Sequence, residues 1–458
     1  MKKLISNVSP QEIQSGNVYK VLVKLGTPLA LSEMVQVAYD LANLYWLGRV
    51  GKDAVAAPSA SWPFTYTFIA AMNGLLASGT TLVSQYRGAN NINMMNKSVA
   101  QTFVLAIISS LIISVSGILT IPYILYAAGI PSDVYPLSVV YSRIMFVALI
   151  FISLWESFRA VVSASGNTIT PMKYNFFGVG LNMIFDPFLI LGIGPFPMLG
   201  VAGAGISTLI SRAIVAFISL NNIIQGKSDV RLIKSEMKID KNILKMMVKI
   251  GTPLSVAWVM EALGFSILTA IISMEGSTAL AAWGIGDRPL NLLNFATIGF
   301  INATGIMVGQ SLGASNRKRA EESAEKSLMI ISLIGVIGGL IFGAFGRHIA
   351  SFFIQDPDVI EATIYYYIYM GSTIVFFYYI QLMGAIAQGS GHTRFVMVVS
   401  ILRIWIIRNV LAYIFGPGPL NMGIPGIWIG MSLSNIISGL VALIWIFKAD
   451  WKKGVIKK

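Results

Sequence analysis

The chain carries one pattern twice, 225 residues apart, and any fold it adopts has to accommodate both copies. Lys24-Leu25-Gly26-Thr27-Pro28-Leu29 returns as Lys249-Ile250-Gly251-Thr252-Pro253-Leu254. Ala56-Ala57 returns as Ala281-Ala282, Ser84-Gln85 with Gly88-Ala89 as Gly309-Gln310 with Gly313-Ala314, and Ser165-Gly166-Asn167-Thr168 as Ser390-Gly391-His392-Thr393. A single offset held over so long a stretch means two homologous bundles. The equivalence fails at one set of positions. Asp40, Asn182 and Asp186 fall opposite Phe265, Ile407 and Leu411, so the scaffold is duplicated and these polar residues are not.

With 55% hydrophobic residues, 12% charged and a mean hydropathy of +0.73, the composition excludes a soluble globular protein. Apolar runs long enough to cross a hydrocarbon core recur along the chain. They lie at about 19–47, 54–84, 98–121, 133–160, 170–192, 200–224, 243–272, 279–309, 323–345, 359–387, 394–414 and 424–447. The expected fold is an all-α integral membrane protein of twelve transmembrane helices. The first and seventh spans are expected to begin as amphipathic interfacial turns. An even number of spans per half gives both halves the same orientation, so they are parallel repeats about an axis along the membrane normal. The expected domains are an N-terminal six-helix lobe over 1–225, a polar linker over 226–242 and a C-terminal six-helix lobe over 243–458.

The net charge of +13 is not spread evenly. Basic residues gather at the N-terminus (Lys2, Lys3, Lys20, Lys24), in the linker and its flanks (Lys227, Arg231, Lys234, Lys238, Lys241, Lys245, Lys249), after span eight (Arg317, Lys318, Arg319) and at the C-terminus (Lys448, Lys452, Lys453, Lys457, Lys458). All of these lie on one side of the twelve-span arrangement, and the other side carries little beyond Arg49, Lys52, Arg143 and Arg347. This is the positive-inside bias of a multi-pass plasma-membrane protein with both termini in the cytoplasm, and it accounts for the charge without nucleic acid. The first 18 residues are polar, so no cleavable signal peptide is expected. With no cysteine and two histidines, His348 and His392, neither a thiol nucleophile nor a histidine metal centre is expected. No GxxxxGK[ST] pattern occurs, so any uphill work must draw on an ion gradient, not on ATP, and no cofactor or enzymatic activity is expected.

Intramembrane polar groups are costly, and each needs a reason. Asp40 and Asn43 lie one turn apart on span one, and Asn182 and Asp186 stand at i,i+4 on span five. Pro187 follows directly, freeing the carbonyl of Met183, with a kink expected there. Thr208, with Ser207 and Ser211, adds hydroxyls on span six. Carboxylate, amide, hydroxyl and carbonyl oxygens are hard ligands that suit Na⁺ and can share a proton. A hydrogen-bonded seam joining helices is the alternative for the neutral members. Further embedded charges are Glu33, Glu156, Glu261, Asp287, Arg288, Arg403 and Arg408. Trp46, Trp62, Tyr141, Trp155, Trp258 and Trp283 are candidates for an aromatic cavity wall or for interfacial packing. The small-residue stretches Gly200-Val201-Ala202-Gly203-Ala204-Gly205 and Gly423-Ile424-Pro425-Gly426 read as close helix packing, not as phosphate loops.

Several segments together resemble the multidrug and toxic compound extrusion (MATE) transporters, of the prokaryotic, DinF-like branch. They are Pro28, Gln36-Val37-Ala38-Tyr39-Asp40-Leu41-Ala42-Asn43, Trp46-Leu47-Gly48-Arg49-Val50-Gly51, Ala54-Val55-Ala56-Ala57, Ser163-Ala164-Ser165-Gly166-Asn167-Thr168, Asn182-Met183-Ile184-Phe185-Asp186-Pro187 and the stretch from Gly200 to Gly205. The resemblance covers nearly the whole chain and implies a 6+6 fold of two lobes around a central cavity. It implies antiport: organic cations or drugs leave by alternating access in exchange for H⁺ or Na⁺. The implied cation site uses Asn182, Asp186 and Thr208, with Tyr141 nearby. Na⁺, if it is the ion, would sit among Asp40, Asn182, Asp186 and Thr208. The family pattern on span one is Asn-x-x-Asp, whereas this chain has Asp40-x-x-Asn43, so the acid lies one turn earlier. Glu261 matches the second-lobe acid of the NorM-like branch, while Tyr378 stands where that branch has its span-ten acid.

The partners expected are a cationic amphipathic small molecule and the lipid bilayer, with the chain acting as a monomer. Two other functions bear on the same residues. A lipid or lipid-linked saccharide flippase of the same superfamily would use Arg288, Arg403 and Arg408 for an anionic head group. An integral-membrane prenyl-transfer enzyme would use Asp-rich motifs, of which Asn182-x3-Asp186 is half and the remainder is missing.

Overall fold

In the computed structural model, residues 7–456 are described; Lys2, Lys3, Lys457 and Lys458 lie outside them. Twelve helices are long and apolar enough to cross a membrane, and no strand occurs among the described residues. A short helix α1 (Pro10–Ser15), begun by Pro10 and capped by Ser9, leads into α2 (Val18–Gly48). Then come α3 (Lys52–Gly88), α4 (Ile92–Ala127), α5 (Tyr135–Ala164), α6 (Ile169–Leu191) and α7 (Val201–Ile224). A single 3₁₀ turn, Lys234–Met237, precedes α8 (Lys241–Ser273), α9 (Ser277–Gly313), α10 (Arg317–Phe353) and α11 (Pro357–Ser390). The eleventh span is α12 (Arg394–Ile401), a π-helical stretch Leu402–Arg408 and α13 (Asn409–Phe415); α14 (Gly423–Lys448) is the twelfth. All twelve apolar runs expected from the sequence are therefore helices.

Helix α6 includes Pro187 within its length. One feature differs from expectation. Span eleven is not uniformly α-helical. In an α-helix, residues five apart diverge by about 140° around the axis. The wider i→i+5 turn brings them nearly back over one another. Arg403 and Arg408 are five apart and both buried, and the π stretch that contains them lets both reach polar partners.

Helices α2–α7 pack as one bundle and α8–α14 as the other, and the two meet along α2 with α9 and α3 with α8. A Cβ at Gly299 would lie 2.5 Å from the backbone of Ala30 and Gly26, and one at Gly74 would lie 2.3 Å from the backbone of Ser255. Cβ atoms at Gly26 and Gly251 would press on Phe300 at 2.9 Å and on Leu75 at 2.8 Å. These four glycines exchange under the internal repeat, so the two crossings are one contact used twice. Small residues permit such backbone approach in lipid, where association depends on packing. A second repeated contact lies further along. Cβ atoms at Gly88 and Gly313 would stand 1.9 Å from the carbonyl oxygens of Gln310 and Gln85. Gln85 Nε2 donates to Gly389 O at 2.9 Å and Gln310 Nε2 to Ala164 O at 2.8 Å, again as repeat mates.

The hydrogen bonds joining the bundles lie at or beyond mid-span on the side that carries the 225–240 connection, called here the linker side. The chain's non-spanning segments reinforce that seal. Arg319 on α10 donates to Ile13 O at 2.8 Å and Gly16 O at 2.6 Å, fastening α1 to the second bundle. Gln101 on α4 donates to Glu236 O at 2.8 Å and Lys238 O at 2.7 Å, fastening the 3₁₀ turn to the first. Asp240 caps α8 and meets the Lys97 ammonium at 2.7 Å. That ammonium and the N–H groups of Ile243 and Asn242 hold the Asp240 carboxyl below its ordinary value. The clamp is therefore intact at neutral pH and loosens only as pH falls through that depressed value. Beyond α14, the N–H of Val455 donates to Gln85 Oε1 at 2.9 Å, laying the C-terminal tail over the junction.

Overpacking a close crossing costs about 1–3 kcal/mol. Gly88→Ala with Gly313→Ala is expected to leave helicity unchanged and loosen the linker-side seal. The natural chain has no cysteine, so Ser84→Cys reports directly on this seam. Maleimide labelling of Ser84→Cys should rise severalfold in the double-alanine background, and equal labelling would show that the crossing does not hold the seal.

Candidate functional site

The first-bundle site is assembled by α6 and α7, whose polar faces are turned toward one another. Asp186 has no solvent exposure and Asn182, one turn earlier, has 2%. Ser207, Thr208 and Ser211 on α7 are likewise buried. The Asn182 amide nitrogen donates to Asp186 Oδ2 at 3.0 Å, while its oxygen accepts from Ser207 Oγ at 3.0 Å and from the Thr208 N–H at 3.1 Å.

Tyr39 on α2 closes this site from the side, its hydroxyl 2.8 Å from Thr208 Oγ1. Tyr141 on α5 is buried within electrostatic range of Tyr39, Asp40 and Asp186. Asn43 is buried, and its Oδ1 has no hydrogen-bond partner among the described residues. Asp40 is placed differently: it is exposed and accepts a long hydrogen bond from Gln36 Nε2 at 3.4 Å. Gln36 Oε1 in turn accepts from Arg212 Nη2 at 3.0 Å. The structure thus brings Asn182, Asp186 and Thr208 together with Tyr39 and Ser207, and sets Asp40 in a separate chain with Gln36 and Arg212. Sequence reasoning gave no role to Tyr39, Gln36 or Arg212. Their signal is periodicity: Gln36, Tyr39 and Asn43 share one face of α2, and Arg212 lies one turn beyond Thr208 on α7.

The Asp186 carboxylate and the Thr208 hydroxyl are hard oxygen donors of the kind that suit a small cation or share a proton. No cluster of three or more His, Asp or Glu side chains suited to a transition metal occurs among the described residues.

The other embedded charges are mostly paired. Arg159 bridges Glu156 at 2.6 Å and Glu33 at 3.8 Å. Arg403 donates to Glu261, and Arg408 to Asn435. Asp287 accepts from Tyr366 at 3.1 Å and Asn291 at 2.5 Å, and Arg288 is exposed without an ion pair among the described residues. Of the tryptophans, Trp155 is core, stacked on Phe158. Trp62 is exposed beside Tyr66, with 5.6 Å between ring centroids.

The MatE family model matches residues 28–188 and 253–414, two segments that begin one internal repeat apart. The chain belongs to the MatE family. Its members are transporters, not enzymes, and this chain is a multi-pass membrane transporter of the multidrug-efflux type. It is 24% identical over 454 residues to a protein of Bacillus subtilis described as a probable multidrug resistance protein, YoeA, covering 97% of this chain and 96% of that one. It is also 24% identical to the FAD transporter of Shewanella oneidensis, covering 93% and 94% of the two chains. Among solved structures, a MATE-family multidrug resistance transporter in an outward-facing conformation superposes with a TM-score of 0.89 at 20% identity, over 96% of this chain and 98% of that one. The MATE transporter in its bent conformation superposes with a TM-score of 0.88 at 21% identity, over 96% and 97%. Likeness at this identity establishes the 6+6 fold.

Replacing Asn182 by Leu keeps its bulk and removes the amide that bonds Asp186 and Ser207. This variant is expected to fold and to lose about tenfold in coupling-cation affinity, a difference of about 1.4 kcal/mol. Cation-dependent quenching of tryptophan fluorescence in detergent would check it; an unchanged affinity would remove Asn182 from the site.

Proposed function

We propose that the protein is an antiporter that exports cationic, amphipathic small molecules in exchange for H⁺ or Na⁺. The observation that carries this reading is a fully buried carboxylate, Asp186, held by the Asn182 amide beside the buried Ser207 and Thr208 hydroxyls. Asp186 is the principal coupling acid, with Asn182, Thr208 and Asn43 as neutral ligands and Asp40 as the second acid. Tyr141 stands behind them. Through the Tyr39–Thr208 contact the state of the site is passed to α2, which also packs against the second bundle. Binding therefore biases which side is open.

The seal lies on the linker side, and the positive-inside bias makes that side cytoplasmic, with both termini. This conformation is then the outward-facing one. The gradient supplies roughly 2.3 kcal/mol per charge per 100 mV of potential. Relatives described as multidrug resistance proteins support a small-molecule substrate, and the acidic excess of the first bundle supports a cationic one. The flippase reading is less favoured because Arg403 and Arg408 are engaged internally. A complete two-bundle unit encloses its own pathway, so the working unit is a monomer.

The test uses purified protein in liposomes, with a fluorescent organic cation and pH or Na⁺ gradients imposed separately. Gradient-dependent movement should be lost by more than about tenfold in Asp186→Asn while the protein elutes as wild type. Retained coupling in that variant would overturn the assignment.

A further inference from the structure

The internal repeat places the second bundle under the same architectural rules as the first, yet its embedded charges are arranged to the opposite effect. In the first bundle the acids Glu33, Asp40, Glu156 and Asp186 face only two guanidiniums, Arg159 and Arg212. In the second, Glu261 and Asp287 face Arg403 and Arg408. Arg403 is 1% exposed, donates to Glu261 and lies over the Phe377 ring at 5.7 Å. Arg408 is 2% exposed, donates to Asn435 Oδ1, lies over the Phe265 ring at 5.9 Å and is within electrostatic range of Asp287. Asp287 also accepts from Asn291 and Tyr366. The π stretch is what sets both guanidiniums on one side of span eleven.

We propose that Arg403 and Arg408 are tethered counter-cations that silence the acids of the second bundle, so that cation exchange is confined to the first. This rests on the antiport reading given above. An exchangeable cation entering beside Glu261 would meet a carboxylate already neutralised by a guanidinium that never gives up its charge. It would also meet unpartnered N–H groups, since Arg403 Nε and Nη1 and Arg408 Nε have no acceptor among the described residues. The repeat explains why such neutralisation is needed. Asn182 and Asp186 are answered in the second bundle by Ile407 and Leu411, so the second bundle has no counterpart of the Asp186 site. A free acid there would be a poorly coordinated leak site; a paired one is structural. Glu261 is thus a counter-ion to Arg403 and not a coupling acid.

The test reads the coupling ratio, cations exchanged per substrate, from the static head of a fluorescent organic cation in liposomes. The opposing gradient is of H⁺ in one arm and of Na⁺ in the other. Glu261→Gln with Arg403→Gln, which removes both charges together, should keep coupled transport and the wild-type ratio. Arg403→Gln alone uncovers Glu261 and should lower the ratio read at static head, because cations cross without substrate, whereas Arg403→Lys, which keeps the charge, should not. Loss of coupling in the double variant with protein that elutes as wild type would overturn the proposal, because Glu261 would then be needed. So would an unchanged ratio in Arg403→Gln. Retained coupling in Asp186→Asn would instead strike at the antiport reading, so the two failures are distinguishable.

Discussion

Everything in this molecule depends on how closely two helices can approach where the bundles meet. Gly26 against Gly299 and Gly74 against Gly251 and Ser255 let backbones touch with no side chain between them. In a bilayer, apolar side chains gain little by leaving lipid for protein, so a close crossing is one of the few ways to join two bundles firmly. It is also a reversible way. Apolar residues of both bundles flank it, Leu25 and Leu29 with Ile306 and Met307 among them, and its polar members, Gln85 and Gln310, bond to backbone carbonyls across the seam. Close backbone approach and directed amide hydrogen bonds lose their hold within a few ångströms, even where apolar side chains stay in contact. Alternating access requires that property of a gate.

The segments outside the spans act on that gate from both halves. Each bundle is preceded by a short helical element that is fastened to the other bundle, α1 by Arg319 and the 3₁₀ turn by Gln101. The two bundles are thereby cross-strapped on the linker side only. On the opposite side no hydrogen bond joins the bundles among the described residues.

Much of this was legible in the sequence because it depends on length, periodicity and repetition. The span number and the parallel duplication follow from apolar runs and a fixed offset, and the pairing of Asn182 with Asp186 from one face of one helix, whereas Thr208 joined them through the family resemblance. What was not legible depends on rotation and on partners far apart in sequence. Asp40 and Asn43 share a face by spacing, yet one is exposed and the other buried, because neighbouring helices cover that face of α2 unevenly. Arg159 unites Glu33 and Glu156 from two helices, and nothing local announces it. The π stretch follows from the demand that Arg403 and Arg408 both find partners, Glu261 on α8 and Asn435 on α14, and no propensity scale contains that demand.

Why, then, duplicate a scaffold and leave its chemistry single? Two similar bundles give a symmetric pair of crossings, so opening one side and closing the other are related motions with comparable contacts made and lost. Coupling imposes a different requirement. One exchangeable charge is enough to make the balance between the two conformations depend on a gradient, whereas a second, independent site would allow half-loaded states that move without exchanging. Under the antiport proposal, a single sensitive carboxylate in one bundle, with Glu261 paired to Arg403 in the other, keeps the mechanics symmetric and the switch unique. The break in the repeat at Asp40, Asn182 and Asp186 marks the place where those two requirements part.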